Sequence, residues 1–401
     1  MMALCLLEVV PAILLIMFYL GIPLLFLVNV NQLLMFGGLA ALTKGLPRNS
    51  IPIIIFAMTL IVISLVKAYS LAGAENYDFR FEAVFPYYFS LVMPALMFIS
   101  VYSLGNLDAA DVLAELRWFS KWFLILISPA VLTYVVLNLT GRISYFGFGV
   151  NFHYAAPYFM NRVGVVGSVA VLILLSGKRS TLVNFVFQYG LFMLGKSRRS
   201  PITILLILLA IIASVLIAWD SLEFLLRRFT RMIQAYSEAD LSNGLLGLSD
   251  SYESIVLFGG RLEEVVGVVD YFTRHPGDIW FGSPPGANYV WRVELSDLEI
   301  VKSFAHLTWL GYAFRFGVIP LAALLSYFLY KLVTGWDSQN PLWLVFVGTL
   351  VSATFGGNLF YSPVAWTMIA LYMRYGKAIS AELRRGREAD RAIGGPNAGV
   401  Q

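Results

Sequence analysis

The sequence predicts an all-α fold, a polytopic bundle of about 11–12 transmembrane helices with one large helical loop on the outer side of the membrane. Three observations predict it. The 401 residues are 59% hydrophobic and 13% charged, where soluble domains hold about 45–50% apolar and about 25% charged residues, and the mean hydropathy is +0.76. Apolar stretches long enough to span a bilayer recur from residue 9 to residue 375. Between them lies one long polar excursion, 220–306, with 13 of the chain's 24 acidic residues, and from Asp220 to Ile300 it carries six Arg and no Lys.

The elements follow in order. Residues 9–42 are nearly uncharged, with Gly21-Ile22-Pro23 in the middle, and read as two spans packed end to end. They lack a basic n-region and a small-residue cleavage site, so they are not read as a removable signal peptide. Further spans cover 51–71, 86–104 and 118–139, joined by short connectors at 43–50, 72–85 and 105–117. The aromatic, Gly-rich stretch 140–161 is too interrupted for a clean helix. It reads as a re-entrant or interfacial segment, tolerated at membrane depth where it lines a protein-walled cavity. Short spans at 163–175 and 182–194 hinge on SGKRS, 176–180, and another follows at 202–219. Beyond the loop, 300–330 reads as one long helix, and 342–355 with 359–375 as a hairpin around Gly356-Gly357-Asn358. The chain thus divides into N-terminal transmembrane helices (1–219), an outer loop (220–300), C-terminal transmembrane helices (301–376) and a disordered basic tail (377–401).

Lys and Arg concentrate on cytoplasmic connectors. The basic tail and GKSRRS (Lys196, Arg198, Arg199) therefore face the cytoplasm, and counting spans puts the acidic loop on the opposite face. Eleven spans leave the N-terminus outside, unless 140–161 hides another crossing. The same count puts Lys178 and Arg179 outside, where cations are disfavoured. The net charge of +4 carries no nucleic-acid signature, since these cations sit in connectors. A single Cys, Cys5, excludes an internal disulfide and a thiolate cluster, and three His argue against a His-rich metal site. No cofactor is expected.

Inside the loop, 221–236 reads as an interfacial amphipathic helix, with Leu222, Leu225, Leu226, Phe229 and Ile233 on one stripe. Leu262, Val265, Val266, Val269 and Phe272 recur at helical spacing and predict a second helix, with Arg261 in its first turn and Pro276 stopping it. Residues 281–289, FGSPPGANY, form a turn-rich lip. Ser296 or Asp297 then caps a helix that carries Glu299, Lys302 and His306 on one face. On that helix Lys302 lies one turn from His306, and a nearby cation lowers an imidazole pKa. A neutral His can act as a general base towards a sugar hydroxyl, although a helical His can equally hydrogen-bond a neighbouring helix. Arg261 and Arg179 both lie at helix starts, where the guanidinium fork and free backbone N–H groups suit a phosphate. The competing reading of each is an interfacial anchor. His275, before Pro276, is read as shaping the turn.

Taken together, LLSGKRSTLV (174–183), GGRLEEVVGVVDYFTRHPGDIWFGSPPG (259–286) and AHLTWLGYAFRFGVIP (305–320) resemble the bacterial O-antigen polymerase and O-antigen ligase superfamily. That superfamily carries Ser-Gly-Ser-Arg near a mid-chain span, Gly-Arg before a helix with His-Pro and a Gly-rich turn, and a His with a Gly about eleven residues on. Gly317 stands at that distance from His306. The chain departs from the pattern at Lys178, Leu307 and Pro320.

The resemblance implies a GT-C-like, metal-independent glycosyltransferase of the inner membrane with a periplasmic loop and a cytoplasmic C-terminus. Its donor would be an undecaprenyl-diphosphate-linked oligosaccharide, and its partners membrane lipid, a chain-length regulator and a flippase. In the implied roles His306 and Arg261 are catalytic and Arg179 binds substrate, and Lys178, Lys302 and Glu299 are read beside them as further substrate-binding residues. Lys178 favours a polymerase over a ligase that moves glycan onto lipid A-core. A transporter or flippase is the alternative from another class, although the chain shows no inverted repeat. A third reading makes the loop of a structural subunit a docking surface.

Overall fold

A computed structural model of the chain describes residues 107–139, 151–176, 179–196, 261–284, 287–293, 298–302, 308–354 and 362–393, with isolated positions at 9, 94, 97, 98 and 100–102. The spans expected at 9–42, 51–71 and 202–219 and the helix expected at 221–236 lie outside the described residues, as do Lys178 and His306. The described part is mostly helical. Its helices are α1 (Ala109–Leu139), α2 (Val163–Ser176), α3 (Arg179–Lys196), α4 (Arg261–Arg274), α5 (Asp278–Phe281), α6 (Thr308–Phe316), α7 (Val318–Thr334), α8 (Pro341–Thr354) and α9 (Pro363–Ile393). One two-stranded antiparallel sheet pairs β1 (Tyr289–Val293) with β2 (Leu298–Lys302).

Helix α1 shows why length and apolarity matter. Its segment Ala109–Leu137 is long and apolar enough to cross a membrane by length and composition. Val112, Leu116, Phe119, Phe123, Ile127 and Tyr134 bury one stripe at helical spacing, while Trp118, Trp122, Ile125, Leu132 and Val136 stand exposed on the others. A helix apolar all round is at home inside a large core or a bilayer. The helix starts at Ala109, inside the stretch expected as a connector. The correction has a simple cause, since Asp111, Glu115 and Arg117 fall between the buried positions and the first turns are amphipathic rather than uniformly apolar.

The core centres on α8, where every residue from Leu342 to Thr349 is buried. Asn340 caps it, its Oδ1 accepting from the Leu342 N–H at 2.9 Å and the Trp343 N–H at 3.3 Å, and Pro341 follows at the first helical position. The Asn340 amide also donates to the Gly376 carbonyl (2.8 Å) and Ser380 Oγ (2.9 Å), which ties α8 to α9. Ser362 caps α9 the same way, its Oγ accepting from the Ala365 N–H at 3.1 Å.

Helices α3 and α8 run antiparallel. Gln339 Nε2 donates to the Phe192 carbonyl at 3.0 Å, and one to two turns on Gln188 Nε2 donates to the Leu344 carbonyl at 2.8 Å. Two 3₁₀ turns, Phe152–Tyr154 and Ala156–Phe159, lie among α1, α2, α3 and α8. Phe152, His153, Tyr154, Ala155 and Ala156 in these turns are buried.

Two further expectations are corrected. The stretch 300–330 is not one helix: β2 ends at Lys302, α6 ends at Phe316, and Gly317 turns the chain with φ 85° before α7. The tail beyond Arg374 is not disordered up to Ile393, because α9 continues through it. Buried positions at Tyr372, Tyr375 and Ile379 give that extension a packed face.

Candidate functional site

Helix α4, the hairpin and α6 form a second small core of Val268, Tyr271, Ala287, Tyr289 and Phe314. The Tyr271 and Tyr289 rings meet the edge of Phe314 at 5.0 and 5.3 Å between centroids. The Tyr271 hydroxyl donates to Asp278 at 2.8 Å, which anchors α5. Helix α4 begins at Arg261 and ends before Pro276, as its sequence requires, but presents a different face from the expected one. Glu264, Gly267, Val268 and Tyr271 are buried, and Val269 is 55% exposed. Gly267 sets this rotation, since a Cβ there would come within 2.6 Å of the Val290 carbonyl and 2.8 Å of the Tyr289 ring.

The segment expected as a capped helix with Glu299, Lys302 and His306 on one face is instead the hairpin. Glu299 pairs in register with Arg292, and Lys302 with Tyr289. In a strand Glu299 and Lys302 fall on opposite faces, so they do not stack and Lys302 is not one helical turn from His306. Residues 289–293 and 298–302, YVWRV and LEIVK, hold the β-branched and aromatic residues that suit a pleated surface. The lip at 281–289 is no free lid, because Gly282, Ser283, Pro284, Ala287 and Tyr289 are buried and the Ser283 N–H donates to the Phe314 carbonyl at 2.7 Å. His275 does shape its turn: its N–H donates to the Tyr271 carbonyl, its own carbonyl accepts from the Asp278 N–H, and its ring lies 4.7 Å from Tyr271.

Arg179 opens α3, and the α3–α8 pairing runs from Phe192 and Gln339 at one end towards Arg179 and Thr354 at the other. At that second end Trp309 Nε1 donates to Thr354 Oγ1 at 3.0 Å. The start of α6, two residues after His306, and the start of α3, at Arg179, therefore share one end of the bundle. Along α3 from that end Thr181, Asn184 and Gln188 are buried at helical spacing, a polar stripe inside an apolar core. Gln188 Nε2 also donates to the His153 carbonyl at 3.1 Å, and His153 is buried beside Tyr154.

Sequence reasoning overlooked this stripe and the buried charges Glu264 and Arg315, each 1% exposed. A signal existed for Arg315, an ionisable residue in an apolar helix. Among the described residues no three His, Cys, Asp or Glu side chains come together as metal ligands. Neither polar atom of the Asn184 side chain finds a hydrogen-bond partner among the described residues. Burying such an unpaired group costs about 1–3 kcal/mol. Asn184→Leu, close in volume, is accordingly expected to raise the thermal midpoint of the purified protein, and a lowered midpoint would show that the amide is satisfied. Comparison with protein-family models and with curated proteins finds no match for the chain.

Proposed function

We propose that the chain is a multi-pass inner-membrane glycosyltransferase that polymerises undecaprenyl-diphosphate-linked oligosaccharide repeat units on the outer face. The observation that carries this reading is the shared end of the bundle: the helix begun by Arg179 and the helix that follows His306 both start there. Outward-facing apolar surfaces on α1 and α7, including Leu132, Val136, Leu329 and Val333, suit a bilayer rather than water. In this mechanism Arg179 and Arg261 neutralise the diphosphate of the leaving lipid, and His306 takes the proton from the acceptor hydroxyl as the glycosidic bond forms. Lys302 does not sit one helical turn from His306, because Glu299 and Lys302 lie on β2.

The glycan profile of a deletion strain tests the reaction. Loss of long chains with a single capped repeat unit retained marks a polymerase. Loss of every capped form marks a ligase, and an unchanged profile removes both. Arg261→Lys keeps the charge and loses the bidentate fork. Its transfer rate is expected to fall nearly as far as that of Arg261→Ala, and full activity with Lys would make Arg261 a point charge or an anchor.

A further inference from the structure

At the end of the bundle opposite Arg179, the C-terminal turn of α7, the connector to α8 and the middle of α9 line an open cavity of about 750 Å³. Its wall carries five cations, Lys331, Arg374, Lys377, Arg384 and Arg385, against two carboxylates, Asp337 and Glu388. Some of these are already engaged. Arg374 donates to the Val101 carbonyl at 2.5 Å and lies 4.9 Å from the centre of the Tyr375 ring, while Arg385 bridges to Glu382 at 3.0 Å. Lys377 and Arg384 are exposed and make no ion pair among the described residues. They stand seven residues apart on α9, two turns along one face of the helix. Two cations at that spacing, opening on a cavity of this size, match a phosphate-bearing anion better than a carboxylate-sized one.

We propose that this cavity binds a phosphate-bearing anion, with Lys377 and Arg384 holding the phosphate. Its source is the headgroup of an anionic lipid. Tyr327, Tyr330 and Trp336 stand 45%, 60% and 57% exposed beside the cavity, next to the exposed apolar Leu329 and Val333. That is the arrangement of an aromatic belt at headgroup depth. Basic pockets between helices on the cytoplasmic side recognise anionic headgroups, and a preponderance of Lys and Arg marks this end as the cytoplasmic one. The choice of lipid over a dissolved anion rests on the membrane reading above. The phosphate chemistry does not.

The full chain in detergent micelles is titrated with dioleoylphosphatidylglycerol, dioleoylphosphatidylcholine and inorganic diphosphate, and bound ligand is read by native mass spectrometry. Phosphatidylglycerol is expected to be retained in preference to phosphatidylcholine, and the double variant K377Q/R384Q to weaken its binding about thirtyfold, given roughly a kcal/mol for each cation at an anionic surface. Diphosphate bound without lipid preference, and lost in the same variant, would keep the phosphate site and assign it to a dissolved anion. The control is R387Q, one exposed charge on the same helix outside the cavity wall. The proposal is overturned if neither probe depends on Lys377 and Arg384, or if R387Q alone lowers occupancy as much as the double variant. These residues lie far from Arg179, so failure here leaves glycan transfer untouched, and an unchanged glycan profile leaves this site standing.

Discussion

His306→Ala leaves the protein in the membrane at its normal level and lowers glycan transfer about 10²-fold or more, the contribution a positioned general base makes. The fold is expected to tolerate the change, because two described residues already seat this end of α6. Thr308 is fully buried, and Trp309 donates to Thr354 across to the end of α8. Truncating the imidazole removes neither of them. Membrane level is read by immunoblot of the membrane fraction and transfer by the length distribution of the glycan ladder. A ladder close to wild type would remove His306 as the base, and a fall in protein level would assign it to packing.

The helices that were legible in the sequence are those built on apolar runs with punctuated ends. Helices α2 and α3 match the two apolar runs read on either side of SGKRS in the sequence, and α8 starts at an Asn-Pro cap. Amphipathic extensions were not legible. The first turns of α1 and the last turns of α9 carry charges on their outer faces, and a reading that equates charge with a connector ends the helix too early. The hairpin illustrates a different failure. A short apolar run such as LEIVK suits either period, and what decides it is the antiparallel partner strand supplied by YVWRV.

The candidate site was legible where position along the chain was enough. Arg179 and Arg261 stand in the first described turns of α3 and α4. Which face of α4 is buried was not legible, because the apolar stripe through Val265 and Val269 loses to the close approach that Gly267 allows. A buried carboxylate such as Glu264 leaves no mark on an apolar pattern, and only tertiary packing reveals it. The polar stripe of Thr181, Asn184 and Gln188 was written in the sequence at helical spacing, yet its burial depends on α8 and the 3₁₀ turns that cover it.

Gly317→Ala and Gly282→Ala are each expected to destabilise the protein severely, because the two glycines lock two chain turns against each other. Gly282 ends α5 with φ 81° and ψ 170°, and Gly317 ends α6 with φ 85° and ψ 173°. That region of backbone space is essentially glycine's alone, and holding another residue in it costs on the order of 1–3 kcal/mol. Sterics add to this. A Cβ on Gly282 would collide with the Arg315 carbonyl and the Phe316 nitrogen, and one on Gly317 with the Trp280 carbonyl and the Phe281 nitrogen. These are backbone atoms that no rotamer change can move aside, and overpacking of a fixed site costs roughly a further 1–3 kcal/mol. The lock also holds the Ser283 N–H to the Phe314 carbonyl, so losing it loosens Gly282 and Ser283 from α6. Thermal unfolding of each purified variant in detergent, with limited proteolysis near residue 282, measures the effect. A midpoint within a degree or two of wild type for both variants would show that the two turns do not pack against each other.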